Sequence, residues 1–396
     1  MGPLDTNLEP RNTTWVKQAN ILYLDQPVGT GFSYVDEPSL FTTNNTQIAH
    51  DMVEFLKQFT AKYPNFKKQP YYVFCESYGG SECSLGVLQP CNVSSPPFTP
   101  LAEMTTGLAT AILAAIDAGE LQLDFRGIAL GDSWIDPLAF TLGWPEYLRQ
   151  LSLLTPAEAK EIYTTALGAQ SAANAGNWTG ATDVWGVVED QIEAMAGGVS
   201  FYNFLQMGST GNTVAAPGAA AAAVPTYRAN TKWASHSVEN LARRHLDVWH
   251  ADSLSALMNG PIRKKLGVIP SNVSWGGQGG AVFQALSGDF MKPVFAEVDA
   301  LLKGGRIHVT VYEGQLDVIC MNSGAEAWIA KLTWDGMDQF SKLHKTPVAP
   351  FAGGEIGGFF RTFKNFSNWY IMKAGHMVPA DNGEMAYRMV QQLLAL

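Results

Sequence analysis

Cysteine is scarce in this chain: 4 in 396 residues, at Cys75, Cys83, Cys91 and Cys320. That excludes a scaffold built on disulfides, although Cys83 and Cys91 are close enough in sequence to close one small loop. Positive charge is short as well. Lys and Arg number 26 against 36 Asp and Glu, for a net charge of −10. Nucleic acid binding needs clustered cations that displace counterions, so a nucleic acid partner is not expected. No apolar run reaches the roughly 18 residues that span a bilayer, so the chain reads as soluble, without a membrane partner. No His-Glu-x-x-His occurs, and His245 and His250 are five apart, a poor spacing for one helical face. No metal and no cofactor are expected. The stretches "WGGQGG" and "AGGEIGG" lack the Gly-Lys-Ser/Thr of a phosphate loop and read as surface loops. The opening "MGPLDTNLEPRNTTW" has neither a cationic nor an apolar leader segment, so no secretory signal is read in it. Six Asn-x-Ser/Thr sequons, at Asn12, Asn44, Asn92, Asn177, Asn272 and Asn365, pull the other way, toward a secretory setting.

What is present belongs to a folded protein. Apolar residues make up 46% of the chain and include 11 Trp, enough for a substantial core. Short apolar runs at 19–24, 71–74, 125–130, 307–312 and 369–372 read as strands buried on both faces. Between them, Ile48, Met52, Phe55, Leu56 and Phe59 mark one face of a helix, and Leu108, Ile112 and Ile116 mark another. Strands alternating with helices predict a mostly parallel sheet covered on both sides. From 140 to 261 strand-like runs are few and helical ones many, including 156–167 and 238–258. Thr155 before Pro156 and Glu158 is a helix start. The alanine run 215–225 is flanked by Pro and Gly and reads as an exposed loop. The expected organisation is an α/β core over 1–139 and 262–396, interrupted by a mainly helical cap over 140–261.

Three segments carry chemistry. "FCESYGG" places Ser77 at a sharp turn after a strand, in a small-x-Ser-x-Gly pattern. "VYEGQLDVIC" places Asp317 beyond the strand 307–312, and "YIMKAGHMVPADN" places His376 beyond 369–372. Open α/β sheets form their clefts past the carboxyl ends of strands, where all three residues fall. A serine hydroxyl is a weak nucleophile until an imidazole takes its proton. The imidazole in turn needs a carboxylate to fix its tautomer and stabilise its charged form. The chain order Ser, Asp, His is that of α/β-hydrolases.

The segments "NILYLDQPVGTGFSYVD", "CESYGG", "GIALGDSWIDP", "LMNGPIRKKLGVIP", "FMKPV", "VTVYEGQLDVI" and "KAGHMVPADNGEMA" resemble the serine carboxypeptidases. Within that family, "GDSW", "MNGPIRKKL" and "GQLD" are most similar to the retinoid-inducible branch. The resemblance implies an α/β-hydrolase with a helical insertion that removes residues from peptide C-termini. It implies Ser77, Asp317 and His376 as nucleophile, acid and base. It implies Glu76 for recognition of the substrate's free carboxylate through a shared proton, hence an acidic working pH. The Tyr78 N–H would be an oxyanion donor, and the Tyr78 ring with Met377 would line a side-chain pocket. A secreted, lysosomal or vacuolar setting is implied too. An acyltransferase or esterase on the same scaffold, or a catalytically silent homologue, remains an alternative.

Three departures from the family pattern bear on these expectations. Cys75 stands where most relatives carry Gly or Ser. The family's Trp-Asn-Gly-Gly-Pro-Gly-like loop, which supplies the second oxyanion N–H, precedes the segment that "MGPLD" resembles, so the loop and the early strands are expected to be missing here. One lost oxyanion donor costs on the order of 3 kcal/mol in the barrier. Residues 81–102 look inserted, with four prolines that forbid a continuous helix after Ser77. Either one helical turn over 81–87 forms before the break and preserves the elbow, or Ser77 loses that support; the helix resumes near Glu103.

Overall fold

The computed structural model describes residues 1–77, 83–86, 104–207 and 252–395. Ten strands fall in that span: Leu22–Leu24 (β1), Pro70–Glu76 (β2), Cys83–Gly86 (β3), Asp124–Gly131 (β4), Val199–Ser200 (β5), Asn203–Met207 (β6), His308–Gly314 (β7), Thr346–Val348 (β8), Gly358–Phe363 (β9) and Phe366–Ile371 (β10). Eight form one sheet in the order β1-β3-β2-β4-β7-β10-β9-β8. The central strands β2, β4, β7 and β10 are mutually parallel, and antiparallel strands flank them on both sides. This is the α/β-hydrolase arrangement, a parallel centre with helices on both faces.

The near-continuous apolar runs of the central strands follow from burial of both faces. Tyr71 and Val73 point into the larger core, whereas Tyr72 and Phe74 point into the smaller one. In β4, Ile128 and Leu130 alternate with Ala129 in the same way. Helix α1 (Asn45–Lys62), capped where the Asn44 side chain accepts from Gln47 N–H, and α2 (Met104–Asp117) cover the first face. The C-terminal helix Gly383–Leu393 covers the second with Met385, Met389 and Val390.

Helices α3 (Pro137–Gln150), α4 (Pro156–Asn174) and α5 (Trp178–Met195) follow β4 directly. Thr155 and Glu158 form a reciprocal capping box at the start of α4. An aromatic cluster pins these helices to the end of β4. The Trp134 ring stacks on Phe140 at 5.2 Å and on Phe290 at 5.6 Å, and meets Trp185 edge-on at 6.1 Å. After α5 the chain forms the small antiparallel ribbon β5–β6, with Ser200 opposite Asn203. Among the described residues no helix is long and apolar enough to cross a membrane.

Several expectations need correction. The run 19–24 is not buried on both faces: only Leu22–Leu24 is a strand, Tyr23 is 50% exposed, and among the described residues β1 pairs with β3 alone. Within 81–87 the described residues, Cys83–Gly86, form no helical turn. Cys83–Gly86 is instead a strand between β1 and β2, because an extended segment there satisfies the backbone groups of both neighbours. "WGGQGG" is more than a surface loop. Gly276 N–H donates to Gly31 O at 2.8 Å, and Gly279 opens the helix Gly279–Leu286. The alanine run 215–225 and most of the helix expected over 238–258 lie outside the described residues; within the latter, Asp252–Leu257 is helical.

Candidate active site

The carboxyl ends of β2, β4 and β7 lie level, with Glu76 opposite Gly131 and Gly131 opposite Tyr312. The loops that leave these strands therefore meet at one edge of the sheet. Ser77 is the first residue past β2 and has a φ of 63°, a left-handed conformation that a residue with a Cβ adopts at a cost of about 1–2 kcal/mol. Two backbone hydrogen bonds hold it there: Ser77 N–H donates to Gly131 O at 3.0 Å, and Trp134 N–H donates to Ser77 O at 3.4 Å. Strain retained by its surroundings marks functional turns. Tyr78 lies outside the described residues.

Asp317 lies in the loop that follows β7 and is fully buried. Its carboxylate accepts from Ile319 N–H at 3.1 Å and Cys320 N–H at 3.2 Å, and lies 2.8 Å from His376 Nδ1. His376, in the loop after β10, is also fully buried. Cys320 is buried beside them, with its Sγ inside a group of donor atoms all within 4.8 Å of one another. A carboxylate on Nδ1 leaves Nε2 as the nitrogen that can exchange protons with a serine.

The ribbon β5–β6 fixes both loops. Phe201 O accepts from Val318 and Ile319 N–H, each at 3.0 Å, and Phe204 N–H donates to Leu316 O at 3.0 Å. His376 N–H donates to Tyr202 O at 2.7 Å, and the Tyr202 ring meets the imidazole edge-on at 5.0 Å. Asp381 accepts from Gly375 N–H at 2.7 Å and from Asn203 Nδ2 at 3.2 Å, joining the His376 loop to the ribbon a second time. Glycine is required at 375, since a Cβ there would lie 2.2 Å from Tyr202 O. Tyr202, Asn203 and Asp381 escaped the sequence reading. Asp381 lay in plain view in "HMVPADN", whereas Tyr202 acts through a backbone carbonyl that leaves no residue signature.

Glu76 and Met377 both line a cavity of about 510 Å³, together with Arg11, Asp25, Met258 and Trp275. From the "DQPVGTGFSY" run, Asp25 alone lines it among the described residues. Asp25 accepts from Phe32 N–H at 2.8 Å, and Gly31, at φ 55°, passes so close that a Cβ would sit 2.2 Å from the Asp25 carboxyl carbon. Burial raises the Asp25 carboxyl above its ordinary range, and the Phe32 N–H opposes the shift. Desolvation also raises the Tyr312 phenol, with Glu76, Asp132, Cys75 and Glu313 adding to it. Acidic side chains thus crowd beneath the cleft.

Comparison with known proteins identifies the family and the fold. The serine carboxypeptidase family model matches residues 1–83 and 103–395, leaving 84–102 outside it. Retinoid-inducible serine carboxypeptidase of Homo sapiens is 39% identical over 392 residues, covering 99% of this chain and 79% of the relative. Serine carboxypeptidase-like 51 of Arabidopsis thaliana is 34% identical over 396 residues, covering 99% and 80%. Among solved structures, a prohormone-processing carboxypeptidase from Saccharomyces cerevisiae superposes with a TM-score of 0.73 at 18% identity, covering all of this chain and 78% of the other.

Proposed function

The chain belongs to the serine carboxypeptidase family, peptide hydrolases of the serine type, and from that premise we propose that Ser77, His376 and Asp317 perform the reaction on peptides with a free C-terminus. Ser77 Oγ attacks the last peptide carbonyl while His376 Nε2 takes its proton. The C–N bond then breaks, His376 returns the proton to the leaving amine, and the C-terminal amino acid departs. Water attacks the acyl ester next. Its proton passes through His376 to Ser77 Oγ, and the shortened peptide leaves. Asp317 holds the imidazole tautomer and stabilises the imidazolium. The N–H of Tyr78, the residue after the nucleophile, is the oxyanion donor expected of such an elbow.

The observation that carries this reading is the buried 2.8 Å Asp317–His376 pair, at the same sheet edge as a serine in left-handed conformation. The cavity beside Glu76 and Met377 supports the assignment of the substrate end. A protonated Glu76 can share its proton with the substrate carboxylate, which favours acidic conditions. Such conditions, with the six sequons, fit a lysosomal, vacuolar or secreted setting.

Two measurements on the full chain test the proposal. A fluorophosphonate probe should label the wild type and leave Ser77→Ala unlabelled. Mass spectrometry should show loss of one residue at a time from a peptide with a free C-terminus, and much slower loss from its C-terminal amide. Unchanged labelling of Ser77→Ala, or equal cleavage of the two peptides, would overturn it.

A further inference from the structure

Asp132 follows β4 directly, and two features make it unusual. It is fully buried, and its φ of 38° is a left-handed value at a residue with a Cβ. Its contacts join the two halves of the site. Gly131 O, one residue before it, accepts from Ser77 N–H at 3.0 Å and from Ser133 Oγ at 3.1 Å. Asp132 N–H donates to Tyr312 O at 2.8 Å, and Asp132 Oδ1 accepts from Gly314 N–H at 2.7 Å, where the loop carrying Asp317 begins. A single dipeptide therefore ties the serine turn to the acid loop.

The titratable groups in electrostatic reach of Asp132 are Glu76 from β2, Tyr312 and Glu313 from β7, and Asp317 from the loop beyond, which pairs with His376. Its second oxygen, Oδ2, is buried and has no hydrogen-bond partner among the described residues. An ionised carboxylate there would leave a charged oxygen unsolvated among three other acids. A neutral carboxyl still accepts from Gly314 N–H and leaves at Oδ2 the smaller cost of one unpaired neutral hydroxyl, not that of a charge.

We propose that Asp132 is a positioning residue which fixes the serine turn against the acid loop, and that it does so as a neutral acid. The inference rests on the roles given above to Ser77, Asp317 and His376. Burial, then Asp317, Glu313 and Glu76 in that order, raise its carboxyl well above the ordinary range, outweighing the Gly314 N–H. The sign follows from linkage. The folded state holds a proton that the unfolded chain gives up near pH 4, so stability is complete below that value and falls as pH rises toward the folded pKa. On ionisation the strut repels the acids that it positions.

Asp132→Asn keeps an oxygen acceptor for Gly314 N–H and cannot ionise, whereas Asp132→Ala loses the acceptor. Rates of fluorophosphonate labelling at Ser77 are compared from pH 4 to 8, with melting temperatures over the same range. Asp132→Ala should label about tenfold more slowly at pH 5, the cost of one buried hydrogen bond. Asp132→Asn should recover most of that loss, and its rate relative to wild type should climb as pH rises. A ratio that stays flat with pH, or an alanine variant that labels at the wild-type rate, overturns the proposal. If Asp132→Ala does not fold, the asparagine variant decides alone. If the wild type does not label at any pH, the catalytic reading has failed and the melting curves decide this one. A melting-temperature gain of Asp132→Asn that grows from pH 4 to 7 supports it, and a constant difference refutes it.

Discussion

His308 offers a quantitative test of the pH dependence built into the sheet. It opens β7 opposite Gly127, and its Nε2 lies 2.8 Å from Ser367 Oγ. Ser367 gives its one proton to Thr362 Oγ1 at 2.9 Å, so Nε2 must be the donor and the ring carries its proton there. Burial lowers the His308 pKa from 6.5 to about 4, against an unfolded value near 6.5. The unfolded chain therefore binds a proton between these values that the folded chain does not. The stabilisation is complete above the unfolded value and is lost as pH falls toward the folded one. A shift of this size is worth about 3 kcal/mol at most, and the partial accessibility of the ring trims it to about 2–3 kcal/mol. A chain of 396 residues has an unfolding entropy of roughly 0.8 kcal/mol/K, so the effect on Tm is about 3 °C. His308→Gln retains an amide donor for Ser367 and does not titrate. Scanning calorimetry at pH 7.5 and 4.5 should show the variant gaining about 3 °C on the wild type between the two conditions. A Tm difference that is the same at both would show that His308 takes up its proton in the fold without penalty.

Two further predictions follow from the geometry. Gly375→Ala places a Cβ against Tyr202 O and Asn203, which should push the ribbon off the His376 loop; Ser77 labelling should fall tenfold or more, and a wild-type rate would show that the ribbon does not set the imidazole. When the chain is passed through a secretory pathway, Asn12 and Asn272, both exposed, should carry glycans. Asn365 should not, because its amide nitrogen donates to Leu302 O at 3.1 Å and Ile307 O at 3.2 Å; a glycopeptide bearing Asn365 in folded protein would refute this.

How much of this was legible in the sequence depended on what each residue contributes. The strand around Tyr71 to Phe74 was visible because burial of both faces demands unbroken apolar character, and Asp317 and His376 were visible because, with Ser77, each follows a strand-like run in the order Ser, Asp, His. Strands β8 and β9 were not, since they flank a Gly- and Pro-rich stretch around 347–358, β9 owing its extension to pairing with β10 and β8 to pairing with β9. The ribbon β5–β6 was lost inside a segment read as mainly helical, and its two-residue first strand is too short to carry a period. Asp132 stood in a quoted motif, "GDSW". Its meaning depends on three acids brought in from β2, β7 and the loop after it, and no local pattern encodes that company.

His308 and Asp132 pull stability in opposite directions, and they do so from different places. His308 is at the amino end of β7, away from the cleft, and costs stability as pH falls from the unfolded histidine value toward about 4. Asp132 is at the carboxyl end of its neighbour β4, buried at the sheet edge that carries Ser77, and costs stability as pH rises from the carboxylate range. The two groups share a pair of strands but not a site. A histidine penalty at one end lowers global stability without touching the geometry of Ser77. An aspartate penalty at the other end strains the contact between the serine turn and the acid loop before it unfolds anything. The chemistry should therefore favour more acidic conditions than the fold does, with activity failing first on the alkaline side and stability first on the acidic side.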